Sequence, residues 1–152
     1  MTSYLIDINV WLALCWEGHP SPPAAHAWLS AEAGAKSRMQ FCRITQLGLL
    51  RLLTNEMVTG VDALSLEEAF EVEDRWLEDP RVEFAAERHG LERFFREATV
   101  GVRKQKASKV LVDAYLIAFA GVEKATLITF DKWMSKLATR AGVNWRLLAA
   151  RR

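Results

Sequence analysis

At 152 residues, 51% hydrophobic and 26% charged, the chain has the size and composition of one globular domain able to bury a core. A net charge of +1 announces no polyanion ligand, but the charge is unevenly placed: Glu67 to Glu97 holds eleven acids against five bases, and the remainder is net positive by seven. Cys15 and Cys42 lack C-x-x-C spacing and read as reduced core thiols; no apolar run is long enough to cross a bilayer and no secretion signal opens the chain, so a cytoplasmic protein is expected.

Tyr4 to Ile6 is a short run, apolar or aromatic on both faces, which predicts a buried parallel strand with Asp7 at its carboxyl end. Asn9 is expected to cap the helix that carries Trp11, Leu12 and Leu14. Gly18 to Pro23 reads as a loop that launches a second helix through Ser21 and the prolines, with Gly34 to end it. His19 and His26 flank that start and read as surface or loop-packing residues. Met39 to Ile44 is the second strand, after which Thr45 is expected to cap an apolar helix through Leu53. Arg51 is the one charge on that helix before Asn55, and it calls for a partner, either structural or a phosphate.

Ser65 and Glu68 have capping-box spacing, Pro80 stops the helix that follows, and the acidic segment around it is expected to be a solvated face. Arg81 to Ala85 predicts a short strand, and Leu91, Phe94, Phe95 and Ala98 fall at helical spacing. Gly101 to Lys109 is a polar connector with four positive charges and no acid. It runs into Val110 to Gly121, a helix apolar nearly all round and therefore central, with Asp113 near its start. Thr126 to Asp131 repeats the opening pattern, a short apolar strand ending in an acid; a helix through Ala141 and a last strand from Val143 to Leu148 follow.

Strands alternating with helices imply an α/β fold in three layers, an α/β/α sandwich around a central, mainly parallel sheet. Asp7 and Asp131 then share one sheet edge, and Asp113 reaches it from a helix start. Three converging carboxylates raise one another's pKa unless a cation neutralises them. Oxygen donors without Cys or His companions select Mg²⁺ or Mn²⁺, and such an ion activates water for displacement at a phosphodiester. The same residues predict metal-dependent phosphodiester hydrolysis, with Arg103, Lys104, Lys106, Lys109 and Arg51 available to hold a polyanionic strand and the six tryptophans read as core rather than stacking platforms.

Leu5-Ile6-Asp7-Ile8-Asn9-Val10, Val112-Asp113-Ala114-Tyr115-Leu116 and Thr129-Phe130-Asp131, in this order and spacing, resemble the PIN-domain ribonucleases, in particular the toxins of VapBC toxin-antitoxin pairs. The resemblance runs from Tyr4 to about Trp145 and implies a single nuclease domain over residues 1–152, an endoribonuclease that requires a divalent metal, RNA as substrate, frequent homodimerisation and neutralisation by a cognate antitoxin. It also implies that Asp7, Asp113 and Asp131 bind the metal and that Asn9 and Thr129 accompany them. One further acid of the family pattern is missing here. Gln46 stands in its place in one register of Thr45-Gln46-Leu47-Gly48-Leu49, and Gly48 in the other. That gap motivates an alternative, a PIN-like module that holds RNA or a partner without cutting. A receiver-like phosphoacceptor also places acids at strand ends, but it needs an acidic pair after the first strand, where this chain has one acid. The apolar helices near Trp11, Trp28 and Leu49 are the expected antitoxin surface.

Overall fold

The computed structural model describes residues 1–32, 34 and 36–149. Its five strands, β1 (Thr2–Ile6), β2 (Ser37–Phe41), β3 (Val82–Phe84), β4 (Thr126–Thr129) and β5 (Trp145–Leu147), form one sheet in the order β3-β2-β1-β4-β5. Every pairing is parallel, with Tyr4 opposite Met39 on one side and Thr126 on the other. The α/β/α expectation is met.

Among the described residues eight α-helices cover the sheet. α1 (Ile8–Cys15), α2 (Pro22–Glu32), α3 (Arg43–Leu53), the single turn α4 (Glu56–Thr59) and α5 (Leu66–Leu77) belong to the β1-to-β3 half; α6 (Leu91–Ala98), α7 (Leu111–Glu123) and α8 (Lys132–Arg140) belong to the other. Alternation along each strand sorts the core into two layers. Tyr4, Ile6 and Ile128 pack with Trp11, Trp28, Leu49 and Ala69 on one face, while Leu5 and Leu127 pack with Leu116, Phe119, Met134 and Leu137 on the other. The chain steps outward from β1 to β3, returns across the opposite face and inserts β4 beside β1. The crevice at the carboxyl ends of β1 and β4 is therefore the topological switch point, where ligands of open parallel sheets bind.

Several local expectations are corrected. Asp7, not Asn9, holds the N-cap position of α1, because its carbonyl accepts from Val10 and Trp11 while its own N–H pairs with Ile128 in the sheet. Likewise Cys42 caps α3, and Thr45 serves from the third position, its hydroxyl accepting the Cys42 N–H at 2.9 Å. The second strand ends at Phe41, so Ile44 is helical. Ser65 and Glu68 form the expected box, at 3.1 and 2.7 Å. Both cysteines are free thiols; burial pushes Cys15 up to about 12, against the Trp76 indole that donates to its sulfur. Among the described residues no helix is long and apolar enough to cross a membrane.

Candidate active site

The switch point brings together the ends of β1 and β4. Thr129, fully buried, donates from its hydroxyl to Asp7 Oδ2 at 2.7 Å and accepts the Asp131 N–H at 3.0 Å. One side chain thus fixes the first carboxylate and the backbone that presents the third. Asp131 is exposed and caps α8, its Oδ1 accepting from the Trp133 and Met134 N–H groups at 2.8 and 3.4 Å. Asp113 enters from the first turn of α7.

The electrostatics follow from this crowding. Burial raises the Asp7 carboxyl; the Thr129 hydroxyl and the Ile8 N–H oppose the rise, and Asp131 adds to it. Asp113 is pushed up to about 6, chiefly by burial and then by the charges of Asp7 and Asp131. None of the three is in an ion pair among the described residues. They feel one another's charge, yet among the described residues no three acidic, His or Cys side chains converge tightly enough to form a ready-made cage. The donor set, carboxylates with a buried threonine and no soft ligand, fits Mg²⁺ or Mn²⁺.

Asn9 lies in the first turn of α1, exposed beside this edge, and its Oδ1 meets His19 Nε2 at 2.9 Å. Because His19 Nδ1 accepts the Ser21 N–H at 2.9 Å, Nε2 is the protonated nitrogen and donates. His19 is buried rather than on the surface, its ring stacked on Phe130 at 5.6 Å, and burial lowers its pKa; His26 is exposed, as expected. Asn9, Trp16, His19, Val58 and Phe130 line a cavity of about 550 Å³ beside the acids.

Gln46 is turned elsewhere. Its amide donates to Glu73 Oε1 at 2.8 Å and accepts from Arg43. Position 48 is the one that faces the start of α1: a Cβ there would come within 2.5 Å of the Ile8 side chain, next to Asp7 in the chain. Glu73, from the segment expected to be solvated, is buried, and its Oε2 has no hydrogen-bond partner among the described residues. It lies in the apolar stripe of Ala69, Val72 and Trp76, and that spacing was the available signal. Burial raises its pKa, while the Gln46 hydrogen bond opposes the rise.

Of the expected strand-holding cations, Arg103, Lys104, Lys106 and Lys109 are exposed on the connector that leads into α7. Arg51 is exposed in the last turn of α3, about 12 Å along the helix from the end that adjoins the sheet edge, and does not join them. The tryptophans divide: Trp11 and Trp28 are core, but Trp133 and Trp145 are exposed. Trp11, Trp28 and Leu49 are all buried and form no docking surface themselves; exposed apolar side chains nearby in the chain include Leu47, Met57, Val58, Val61 and Leu66, on and between α3 and α5.

The chain is similar to known proteins over most of its length. A family model described as PIN domain matches residues 4–139. Ribonuclease VapC41 of Mycobacterium tuberculosis is 41% identical over 149 residues, covering 95% of this chain and 98% of the relative. Among solved structures, VapBC2 from Rickettsia felis bound to a DNA fragment from their promoter superposes with a TM-score of 0.72 at 14% identity, over 97% of this chain and 100% of that one. VapC20 of Mycobacterium tuberculosis, described as a sarcin-ricin loop cleaving toxin, does so with a TM-score of 0.63 at 18% identity, over 88% and 93%.

Proposed function

The chain belongs to the PIN domain family, and on that premise we propose that it is a divalent-metal-dependent endoribonuclease toxin restrained by a cognate antitoxin. The observation that carries the reading is the Thr129 hydroxyl bridging Asp7 and Asp131 at the switch point, with Asp113 close enough for its carboxyl to respond to both. Family membership sets aside the receiver-like alternative.

Asp7, Asp113 and Asp131 would hold Mg²⁺ or Mn²⁺, which when bound supplies a polarised water and charge stabilisation for hydrolysis of a phosphodiester. By donating to Asp7 Oδ2, the Thr129 hydroxyl fixes that carboxyl and favours its ionised form against the rise that burial causes. Asn9, braced by His19, stands on the same rim to position the strand. The cations of the connector attract the backbone of RNA toward that rim.

Residues 1–152 act as one nuclease domain in this reading, of which residues 33, 35 and 150–152 lie outside the described part. The exposed apolar side chains from Leu47 to Leu66 offer an antitoxin a surface to cover, and the VapBC structural relatives motivate that partner; a homodimeric toxin is what the family resemblance implies. The absence of a carboxylate at both 46 and 48 favours the non-cutting alternative. Incubating a structured RNA pool with wild type or Asp113→Asn, in Mn²⁺, Mg²⁺ or EDTA, separates the two: cleavage that needs both the metal and Asp113 is expected. A folded wild type that binds RNA and metal without cutting would favour the binding module.

A further inference from the structure

Between α6 and the basic connector lies a cavity of about 470 Å³, a size typical of small-molecule sites. Half-buried Phe95 and Val110 and the exposed Leu111 give it an apolar lining, and Arg103, Gln105 and Ser108 line it as well. The Phe95 ring is half-buried and braced by Tyr115, edge-on at 6.3 Å, so it is held rather than swinging free. Arg103 is also anchored, its Nη2 donating to the Arg96 carbonyl at 2.6 Å, which leaves the rest of the guanidinium for a ligand. Gln105 and Ser108 are exposed, and neither side chain is engaged in a hydrogen bond among the described residues. Glu92, the one acid in the wall, is neutralised by Arg96 at 2.6 Å.

An aromatic ring in the lining, a planar cation and unspent amide and hydroxyl groups are what an unstacked base requires: a face to lie on and partners for its edge. The cavity lies at the amino-terminal end of α7, where Val110 and Leu111 line it and where the first turn also presents Asp113, about 3 Å further along the axis and on another face of the helix. We propose that this cavity holds one base of the RNA strand being cut and so selects the nucleotide beside the scissile phosphate. Charge decides the occupant. The connector carries four cations and no acid, which suits a polyanion, whereas a symmetric contact with a second copy would bring two such connectors face to face.

The inference rests on the nuclease reading, so its test includes a measurement that does not need cleavage. Asp113→Asn protein is irradiated with an oligoribonucleotide pool carrying 4-thiouridine, and the attached peptide is identified. In parallel, cut ends from a random RNA pool are sequenced for wild type and Ala107→Trp, which fills the cavity from its wall. Crosslinks within residues 95–111 are expected, with a base preference beside the cut in wild type. Ala107→Trp should lose that preference and lower kcat/KM on the favoured sequence about ten-fold or more, the scale of a lost base stack, with Mn²⁺ affinity unchanged. Should that variant fail to fold, Gln105→Ala combined with Ser108→Ala, both at exposed positions, carries the same expectation. Crosslinks elsewhere, or an unaltered cut profile in a folded variant, overturn the proposal while leaving the nuclease intact. An unaltered profile together with a change of oligomeric state would assign the cavity to a second copy. Crosslinks at 95–111 in a protein whose wild type cuts nothing would uphold the base site and overturn the nuclease.

Discussion

Thr129 has no exposed atom and two polar obligations, one to Asp7 and one to the Asp131 backbone. Thr129→Val keeps the shape and removes both, so the Asp7 carboxyl should rise further and Mn²⁺ affinity should fall. The expected stability cost is about 1–3 kcal/mol, that of a buried polar partner left unpaired. Calorimetric Mn²⁺ titration reads the effect on positioning, and Thr129→Ser should restore it; a variant that loses stability but keeps its metal affinity would make Thr129 merely structural. Gln46→Glu, which from sequence alone should strengthen the metal site, has a different expected outcome in the fold. It would set a second carboxylate against buried Glu73 and lower stability by about 1–3 kcal/mol at neutral pH. Both acids then have folded pKa values above their unfolded ones, so stability is lost as pH rises through that interval and recovered as pH falls. Urea unfolding at pH 5 and pH 7.5 checks the sign. His19 works in the opposite direction: burial lowers its pKa, so protonation favours the unfolded chain and stability falls as pH drops below about 6.5. Replacing it, as His19→Gln, should flatten that part of the Tm against pH curve.

At the scale of elements, the contact between α1 and α3 decides what became of the missing acid. Gly48 allows Ile8 to lie where a side chain would otherwise stand, and the two positions are complementary. Gly48→Ala should cost about 1–3 kcal/mol through overpacking, and Ile8→Ala should relieve part of that cost, giving a non-additive double-mutant cycle in thermal unfolding. Gly48→Glu joined to Ile8→Ala should then place a carboxylate near Asp7 and tighten Mn²⁺ binding, which a titration beside the wild type would reveal.

For the molecule as a whole, the two core layers share one five-stranded sheet, so neither can be exposed without unpairing the strands that serve the other. Unfolding followed by near- and far-UV circular dichroism should therefore give coincident single transitions, as one domain requires; separate midpoints would divide the chain. The exposed apolar stretch on and between α3 and α5 belongs to this scale too: Met57→Asp with Val61→Asp should weaken antitoxin capture without changing cleavage by the free toxin. The alternation of short apolar runs with helical periods was sufficient to read the sandwich and to put Asp7, Asp113 and Asp131 at one edge. Those signals are local, carried by residues a few positions apart, and a parallel sheet sends every strand end to the same side. What local periodicity could not specify was direction across the core. That Gln46 turns toward Glu73, that Glu73 is buried, that Gly48 receives Ile8, that Trp11 and Trp28 face inward while Trp133 does not, and that a cavity opens between α6 and the connector all depend on which helices pack together. Those are contacts between residues tens of positions apart, settled only when the layers close.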